Sequence, residues 1–332
     1  MHFQGRKKWI IGLILLVTAA LISGCGTEQA SPLSDKTKIG IMLSDVGLGD
    51  QSFSDAAFRG LMKARDENGI IFDYKEISKD KTYDDGFEEL AQENCDLIVG
   101  LGFMVKDSME KSAKQHPDQQ FLLIDETSDL PNIASITFKE EEGSFLAGAL
   151  AAMASRTNHV GFIGGVDAPV IHKFQAGFEQ GVKMVDPDMA VDVKYAGDFG
   201  KADLGASIAK QMIGEGADVI YTAAGFTGVG ALQEAVRHGA YAIGVDSDQY
   251  FVAEKAVISS MMKNVDVAVY KAVIDFEKNG GKFAEQHMVF GLMDNGVGLA
   301  PIRVISLMQH EQKQLDELKQ KLVSGEITVQ IP

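Results

Sequence analysis

The sequence has 332 residues, with 47 acidic and 31 basic side chains and a formal net charge of −16 at pH 7. This acidic balance argues against binding to nucleic acid and against adsorption to anionic lipid headgroups. Hydrophobic residues make up 45% of the chain, which is enough to build the cores of one large or two medium domains.

The amino-terminal segment, residues 1–24, has the pattern of a lipoprotein signal peptide. A basic cluster at residues 6–8 precedes an apolar stretch at residues 9–22 that is short for a membrane span. The small residues before Cys25 resemble a bacterial lipobox, so we expect the mature chain to begin at Cys25, lipidated and held on the extracytoplasmic face of the cell membrane. Residues 25–36 are small and polar and predict a tether. The alternative is an uncleaved signal anchor with an incidental cysteine.

Cys95 is the only other cysteine and lies in a run that predicts a buried strand. Lipidation of Cys25 would leave it without a disulfide partner, and no second metal ligand lies near it in the sequence. We therefore expect Cys95 to be a small buried side chain. The sequence predicts no metal site and no cofactor.

The first half of the body alternates short apolar runs with amphipathic stretches, which predicts a mostly parallel sheet covered by helices on both faces. Asn68-Gly69 has the form of a helix C-cap, and Thr82 that of a helix N-cap. The predicted strands cover residues 38–44, 71–76, 96–101, 120–125 and 134–138, and the predicted helices cover 55–68, 83–93 and 106–115.

The loop between the first predicted strand and helix, residues 44–55, carries glycines, carboxylates, hydroxyls and one aromatic ring. It lies at the carboxyl edge of the predicted sheet, where ligands of open α/β sheets bind. Carboxylates can accept hydrogen bonds from sugar hydroxyls or base N–H groups, and the Phe53 ring offers a face for stacking. The alternative is a polar turn in which Ser54 only caps the following helix.

The second half repeats the alternation after a long helix rich in Ala and Gly, whose small residues predict close packing on a neighbour. Residues 93–99 match residues 215–221, and Asp125 and Asp246 each end a strand in their own half. Because parallel strands present their carboxyl ends at one edge, two lobes facing edge to edge would bring Asp45, Asp125 and Asp246 together in a cleft. The remaining predicted helices cover 141–155, 170–185, 204–214, 229–238, 267–279 and 311–323, and the strands cover 159–164, 191–196, 218–223, 241–245, 257–262 and about 288–292.

Other conspicuous residues have simpler interpretations. Residues 225–230 follow a strand, but their glycine order is not that of a dinucleotide fingerprint, so we interpret them as a tight turn that approaches a ligand. Residues 140–142 are three glutamates at a predicted helix start, where the helix dipole favours acids. His172 is interpreted as a surface or capping residue. Asp246 and Asp248 lie two apart at a strand end, and a ligand contact plus a hinge residue is favoured there over a metal pair.

Eight short stretches spread through nearly the whole mature chain carry a family resemblance. They cover residues 44–54, 121–125, 142–148, 160–165, 172–178, 216–220, 224–228 and 243–249. In this order they resemble the basic membrane lipoprotein (BMP) family, which includes the purine nucleoside receptors of ABC transporters. The resemblance implies an α/β type I periplasmic binding protein fold, with two Rossmann-like lobes joined by a three-strand hinge. We expect an amino-terminal lobe of residues 37–139 plus about 249–284, and a carboxyl-terminal lobe of residues 140–248 plus about 285–332.

The resemblance also implies ligand contacts. Asp45 matches a family aspartate that contacts the ligand, and Phe53 matches the aromatic residue that stacks on the nucleobase. Asp125 matches the strand-end aspartate that reads the base, and Asp246 matches the one that holds the ribose hydroxyls. The family often has an asparagine where this chain has Ser54, so the hydroxyl loses or relays one hydrogen bond and leaves the purine preference open. The remaining implied contacts are Gly225 against the sugar, Lys263 as a cleft lysine and Phe199 as a second face for the base.

In function, the resemblance implies a lipid-anchored protein that captures a nucleoside and delivers it to the permease subunits of an ABC importer. Purine nucleosides, namely guanosine, inosine or adenosine, are favoured. An enzyme is disfavoured because the sequence shows no dense carboxylate cluster with metal-ligand spacing and no nucleophile–base pair. The alternatives are a nucleoside-processing enzyme and a ligand-sensing or signalling lipoprotein of the same fold. No nucleic-acid partner is expected, because a signal peptide stands where repressor relatives of this fold carry a DNA-binding headpiece.

Overall fold

The computed structural model describes residues 36–332; the predicted signal peptide, Cys25 and the tether up to residue 35 lie outside the described residues. In the part that is described, no helix is long and apolar enough to cross a membrane. In chain order the strands are β1 (Lys38–Met42), β2 (Ile71–Lys75), β3 (Leu97–Leu101), β4 (Gln120–Ile124), β5 (Ile133–Phe138), β6 (His159–Gly164), β7 (Ala190–Tyr195), β8 (Val219–Ala223), β9 (Tyr241–Asp246), β10 (Val257–Lys263), β11 (His287–Phe290) and β12 (Val297–Leu299). The helices are α1 (Phe53–Asn68), α2 (Tyr83–Gln92), α3 (Lys106–Gln115), α4 (Glu140–Ala154), α5 (Pro169–Val185), α6 (Ala202–Gly214), α7 (Gly225–His238), α8 (Val265–Lys278) and α9 (Gln309–Val323).

These strands form two six-stranded sheets. The first has the order β2-β1-β3-β4-β5-β11 and is parallel throughout. The second has the order β7-β6-β8-β9-β10-β12, in which β12 runs antiparallel to β10. Strands β1–β5 and β6–β10 therefore follow the same order in their sheets, and β4 and β9 are equivalent strands. The repeat expected from the sequence is confirmed as a repeat of structure.

The chain passes between the two sheets three times, after β5, after β10 and after β11. We call the first sheet with its covering helices the first lobe, and the second sheet with its helices the second lobe. Helix α8 follows the second crossing and packs on α1 of the first lobe. A Cβ at Gly60 of α1 would lie only 2.5 Å from the backbone oxygen of Asp266 in α8, so the two helices touch.

The last two crossings differ from the lobe boundaries expected from the sequence. The expected boundaries place β10 in the amino-terminal lobe, but it pairs with β9 in the second sheet. They place β11 in the carboxyl-terminal lobe, but it pairs with β5 in the first sheet. An apolar run predicts that a strand is present, whereas the sheet it joins depends on backbone pairing with residues far away in the chain. Residues 257–263 and 287–290 therefore exchange lobes relative to the expectation.

The sequence signals for helix ends are confirmed. The Thr82 hydroxyl accepts a hydrogen bond from the Asp85 N–H at 3.3 Å, and the Asp85 carboxylate accepts one from the Thr82 N–H at 2.8 Å. This reciprocal pair is a capping box at the start of α2. At the end of α1, Gly69 has a φ of 77° and donates its N–H to the Arg65 carbonyl.

Helix α4 packs closely on α5, as its Ala- and Gly-rich sequence predicts. A Cβ at Gly148 of α4 would collide with the backbone carbonyl of Phe178, and a Cβ at Gly181 of α5 would collide with that of Phe145. The two backbones are therefore in contact, with no room for a side chain between them at these glycines.

The start of α7, the presence of β12 and the burial of Cys95 bear on three further expectations from the sequence. Helix α7 begins at Gly225 rather than at residue 229, so residues 225–230 form the first turns of a helix and not a separate tight turn. Strand β12 is an element that the sequence analysis missed. Cys95 is buried as expected, and this burial raises the pKa of its thiol to about 11.

Candidate functional site

The carboxyl ends of strands from both sheets surround one pocket, with about 620 Å³ of empty space when its solvent-filled mouth is included. Residues after β1, β3 and β4 line the side formed by the first lobe, and residues at the ends of β8, β9 and β10 line the opposite side. The lining contains seven of the eight ligand contacts implied by the sequence: Asp45, Phe53, Asp125, Phe199, Gly225, Asp246 and Lys263. Convergence of strand-end residues from two lobes is confirmed, while their roles toward a ligand stay predictions.

Ser54 is the implied contact that does not line the pocket. Its side chain is fully buried, and its hydroxyl lies 2.7 Å from the hydroxyl of Ser44. Ser44 itself lies at the pocket wall. The Ser54 side chain therefore supports the end of β1 and does not face the pocket. A ligand contact from this position, as implied for the family asparagine, would require a different side-chain orientation.

Asp50 organises the loop that carries Phe53. Its carboxylate is buried and accepts hydrogen bonds from the backbone N–H groups of Ser52 at 2.9 Å, Ser54 at 2.7 Å and Asp55 at 3.2 Å. These donors belong to the start of α1, where N–H groups lack partners within the helix. Burial raises the pKa of Asp50, and the three backbone donors oppose that rise. The Asp55 carboxylate accepts two more loop N–H groups, from Gly49 at 2.8 Å and Gln51 at 3.0 Å, so carboxylates fix the loop that carries Phe53 to the pocket wall.

Phe199 is positioned by the first turn of α7. The backbone N–H of Thr227 donates to the Phe199 carbonyl at 2.8 Å, and the Thr227 hydroxyl donates to the Asp198 carbonyl at 2.8 Å. Gly165 makes room for the ring, because a Cβ there would collide with it. Gly225 at the start of α7 lies next to Phe199 in the same wall.

Asp125 and Asp246 share an unusual backbone conformation. Asp125 has a φ of 70° and Asp246 has a φ of 63°, both in the left-handed region that few non-glycine residues adopt. Asp125 directly follows β4, and Asp246 is the last residue of the equivalent strand β9. Such strained residues concentrate at functional sites. Both aspartates line the pocket.

Lys263, the last residue of β10, lies in the floor of the pocket and is almost completely buried. Its Nζ lies 2.5 Å from Asp125 Oδ2 and 5.1 Å from the centre of the Phe53 ring, with further ring centres at 5.0 Å (Phe138) and 5.5 Å (Phe174). Burial alone would lower the pKa of this ammonium group, but the surrounding carboxylates raise it above its usual value. Lys263 is therefore charged and ties a strand of the second lobe to a residue of the first.

The carboxylates of the pocket are harder to ionise than free ones. Burial raises the pKa of Asp125 and of Asp246 to about 6, and the Lys263 charge opposes both shifts. Asp45 is open to the cleft, yet partial desolvation and the nearby Asp198 and Asp50 carboxylates raise its pKa too. Within residues 36–332, no group of three or more His, Cys, Asp or Glu side chains is placed to hold a metal ion.

Three polar contacts join the lobes beside the pocket. The Ser52 hydroxyl donates to Asp246 Oδ2, and the Gln249 side chain donates to the Gln51 carbonyl at 3.1 Å. Arg59 of α1 donates to the Ser247 hydroxyl at 2.8 Å. The lobes are therefore closed against each other on this side. A separate ion pair between Asp248 and Arg303, at 2.8 Å, takes Asp248 away from the pocket.

Two functional candidates escaped the sequence analysis. Phe174 lines the pocket from α5, within a segment that was noted only for its resemblance. Glu140, interpreted as a helix-start acid, is indeed the first residue of α4, but it is 1% exposed and lies 2.9 Å from Lys263 Nζ. In the sequence Glu140 is visible only as one of three consecutive glutamates, because its partner Lys263 lies far along the chain. His172 is half exposed and pairs with Asp167 outside the pocket, as a surface residue would.

Comparison with known proteins places the chain in a family. Residues 36–331 match the family Bmp, described as ABC transporter substrate-binding protein PnrA-like. The chain belongs to the Bmp family. This Bmp-family protein is 33% identical to the CD4+ T-cell-stimulating antigen of Listeria monocytogenes, over 98% of both chains. It is 32% identical to the ABC transporter nucleoside-binding protein BmpA of Lactococcus lactis, over 97% of this chain and 99% of the relative.

A solved structure supports the fold. The Bmp-family protein superimposes on an ABC transporter solute-binding protein from Aeropyrum pernix K1 with a TM-score of 0.81 and 28% identity. The match covers 89% of this chain and 94% of the other. The type I periplasmic binding protein fold expected from the sequence is therefore confirmed. The protein is a substrate-binding protein of the ABC transporter class.

Proposed function

We propose that this Bmp-family protein captures a nucleoside, preferentially a purine nucleoside, between its lobes and delivers it to the permease subunits of an ABC importer. The observation that carries the proposal is the composition of one pocket. Buried carboxylates from opposite lobes, Asp125 and Asp246, line it together with the rings of Phe53 and Phe199. A flat heteroaromatic ring with an attached polyol has the matching shape and chemistry. The nucleoside-binding name of the Lactococcus lactis relative supports this choice.

The energetics favour a neutral ligand of this kind. Stacking of a base on an aromatic side chain contributes roughly 1–3 kcal/mol. Ribose hydroxyls that donate to Asp246 would form charge-assisted hydrogen bonds and would distinguish ribose from deoxyribose. The Lys263 charge is already taken by carboxylates at 2.5 Å and 2.9 Å, so it offers little attraction for a phosphate. We therefore expect nucleosides to bind and nucleotides to bind much more weakly.

The test is calorimetric titration of the detergent-solubilised protein, refolded to remove any carried ligand, with guanosine, inosine, adenosine and cytidine. Saturable binding of purine nucleosides with a dissociation constant of about 1 μM or tighter, near −8 kcal/mol, supports the proposal. Guanosine 5′-monophosphate and 2′-deoxyguanosine are the matched ligands for the phosphate and ribose arguments. Absence of heat with every nucleoside would contradict the proposal and indicate another small ligand for the same pocket.

We propose further that lipidation of Cys25 anchors the protein on the extracytoplasmic face of the membrane, and that it is not an enzyme. Cys25→Ser should release the protein from the membrane fraction and abolish fatty-acid labelling, while Cys95→Ser should change neither. Prolonged incubation with inosine should return inosine unchanged. Release of hypoxanthine by the purified protein would overturn the assignment as a pure binding protein.

A further inference from the structure

Glu140 lies behind the pocket and not in its lining, yet it contacts the charged group at the pocket floor. Its side chain is 1% exposed. Oε1 lies 2.9 Å from Lys263 Nζ, and Oε2 accepts a hydrogen bond from Lys173 Nζ at 3.1 Å. Lys173 also donates to the carbonyl of Phe138, the last residue of β5, at 3.0 Å. Glu140 therefore bridges two lysines at the point where the chain first crosses between the lobes.

Lys263 contacts two carboxylates at once, and this determines which oxygen of Asp125 has a partner. The ammonium group lies between Glu140 Oε1 and Asp125 Oδ2, at 2.9 Å and 2.5 Å. Asp125 Oδ1 is buried and has no hydrogen-bond partner among the described residues. An unpartnered buried acceptor is costly unless a ligand supplies a donor. Asp125 Oδ2 therefore faces Lys263, and Oδ1 is the oxygen that a ligand donor could satisfy.

Charge balance supports the same view. Four side chains form a chain of alternating charges with no net charge, in the order Asp125, Lys263, Glu140 and Lys173. The successive pairs lie 2.5 Å, 2.9 Å and 3.1 Å apart. Removal of the Glu140 charge would leave Lys263 with Asp125 as its nearest counter-ion. The ammonium group would then be drawn toward both oxygens of Asp125, because a buried cation seeks the nearest anionic acceptors.

We propose that Glu140 is a positioning residue that holds Lys263 so that Asp125 presents its free oxygen to a hydrogen-bond donor of the ligand. The inference rests on the proposed capture of a nucleoside, and it assigns a ligand-tuning role to a residue that never touches the ligand. It also predicts that the role is transmitted through Asp125 and disappears when the Asp125 carboxylate is removed.

The test is a double-mutant cycle read by calorimetric titration with guanosine. Glu140→Gln should weaken binding by roughly tenfold or more in the wild-type background, the loss expected when a buried acceptor is taken from the ligand. In the Asp125→Asn background the same substitution should weaken binding by less than about threefold, because the transmitting carboxylate is absent. Additive losses in the two backgrounds would mean a general structural role and would overturn the inference.

Two further variants keep the test decisive. Glu142→Gln removes a carboxylate from the same helix start, where it pairs with Lys139 at 2.9 Å, and should leave guanosine binding unchanged. Glu140→Asp keeps the charge but shortens the reach to Lys263, so it should fold and bind with intermediate affinity. If Glu140→Gln does not fold, the Glu140→Asp variant decides: wild-type affinity in a folded Glu140→Asp protein would contradict the inference.

A measurement without ligand separates this inference from the proposed function. In protein labelled with ¹⁵N-lysine, Lys263→Arg keeps a buried cation and identifies the ammonium resonance of Lys263 by its disappearance. We expect that resonance to shift strongly in Glu140→Gln and to stay in place in Glu142→Gln. If wild-type protein does not bind guanosine, the proposed function fails, and this spectrum still decides whether Glu140 positions Lys263. An unshifted resonance in Glu140→Gln would overturn the inference.

Discussion

Lys263 and Asp125 belong to different lobes, and their side chains meet at 2.5 Å in the pocket floor. Lys263 ends β10 immediately before the chain crosses to the first lobe, and Asp125 follows β4 in that lobe. The ion pair therefore lies both in the pocket between the lobes and at a crossing point. Any ligand that competes for Asp125 or Lys263 acts on the contact that joins the lobes.

Lys263→Met should destabilise the protein strongly. The substitution leaves Asp125 and Glu140 buried without the cation at 2.5 Å and 2.9 Å. Loss of one partner of a buried ion pair costs about 3–5 kcal/mol. Urea unfolding at pH 7 measures the loss. Lys201→Met is the control, because its pair with Asp198 at 2.8 Å is largely exposed and should contribute less than about 1 kcal/mol. Equal unfolding midpoints for the two variants would contradict the prediction.

Phe53→Ala should weaken nucleoside binding and leave folding nearly intact. The ring lines the pocket and is only half-buried, so its main loss is the stacking surface. That loss corresponds to roughly 1–3 kcal/mol, or about 5- to 150-fold in the dissociation constant. Titration with guanosine gives the result, and Phe53→Tyr should retain most of the affinity. Phe251→Ala removes a ring that is 78% exposed outside the pocket and serves as the matched control.

Asp50→Ala should loosen the start of α1. The carboxylate satisfies three backbone N–H groups at 2.7–3.2 Å while itself buried. We expect a decrease of about 2 kcal/mol in the free energy of unfolding, the upper range for loss of a helix cap. Asp84→Ala removes an acid from the first turn of α2 that is paired only at the surface, so its effect should be below about 1 kcal/mol. Identical urea midpoints would count against the role of Asp50.

Affinity and stability should respond to pH in opposite directions through Asp246. Burial raises the pKa of Asp246 to about 6 in the folded protein, from an ordinary value of 3.8. The folded state then binds more protons than the unfolded state between these values, so this contribution to stability falls as pH rises toward 6. Ligand hydroxyls need the ionised carboxylate, so guanosine affinity should rise over the same interval.

The comparison with Asp246→Asn isolates that group from the other carboxylates. The free energy of unfolding of the wild type minus that of Asp246→Asn, measured by thermal unfolding from pH 4 to pH 7.5, should decrease as pH rises. The rise of guanosine affinity with pH should be shallower in Asp246→Asn. Parallel pH profiles of the two proteins would show that Asp246 does not titrate in this range.

The core of the site was predictable because it depends on strand ends. Asp125 and Asp246 are found at equivalent places because parallel strands order their carboxyl ends, and an alternating βα pattern reveals those ends. Helix signals such as Thr82 and Gly69 were equally local, since a cap uses atoms within one turn. The left-handed backbone of both aspartates was not predictable, because it arises from the turn that each strand end makes.

The parts that were not predictable depend on distant pairing. The sheet membership of β10 and β11 is set by backbone partners in another part of the chain. Ser54 matches a ligand-contact position in the sequence, but its hydroxyl is taken by Ser44. Glu140 had the local signature of a helix-start acid, and only the folded chain brings it to Lys263.

The positive φ angles of Asp125 and Asp246 bear on any redesign of this receptor for a new cargo. At both positions the backbone favours Asp or Asn, while most other side chains would add strain of about 1 kcal/mol or more. Most members of a library that randomises these positions would carry that loss of stability. Phe53 and Phe199 lie at half-buried positions whose φ angles are negative, so their substitution carries no such backbone penalty. New selectivity is therefore easier to evolve in the apolar walls of the pocket than in its carboxylates.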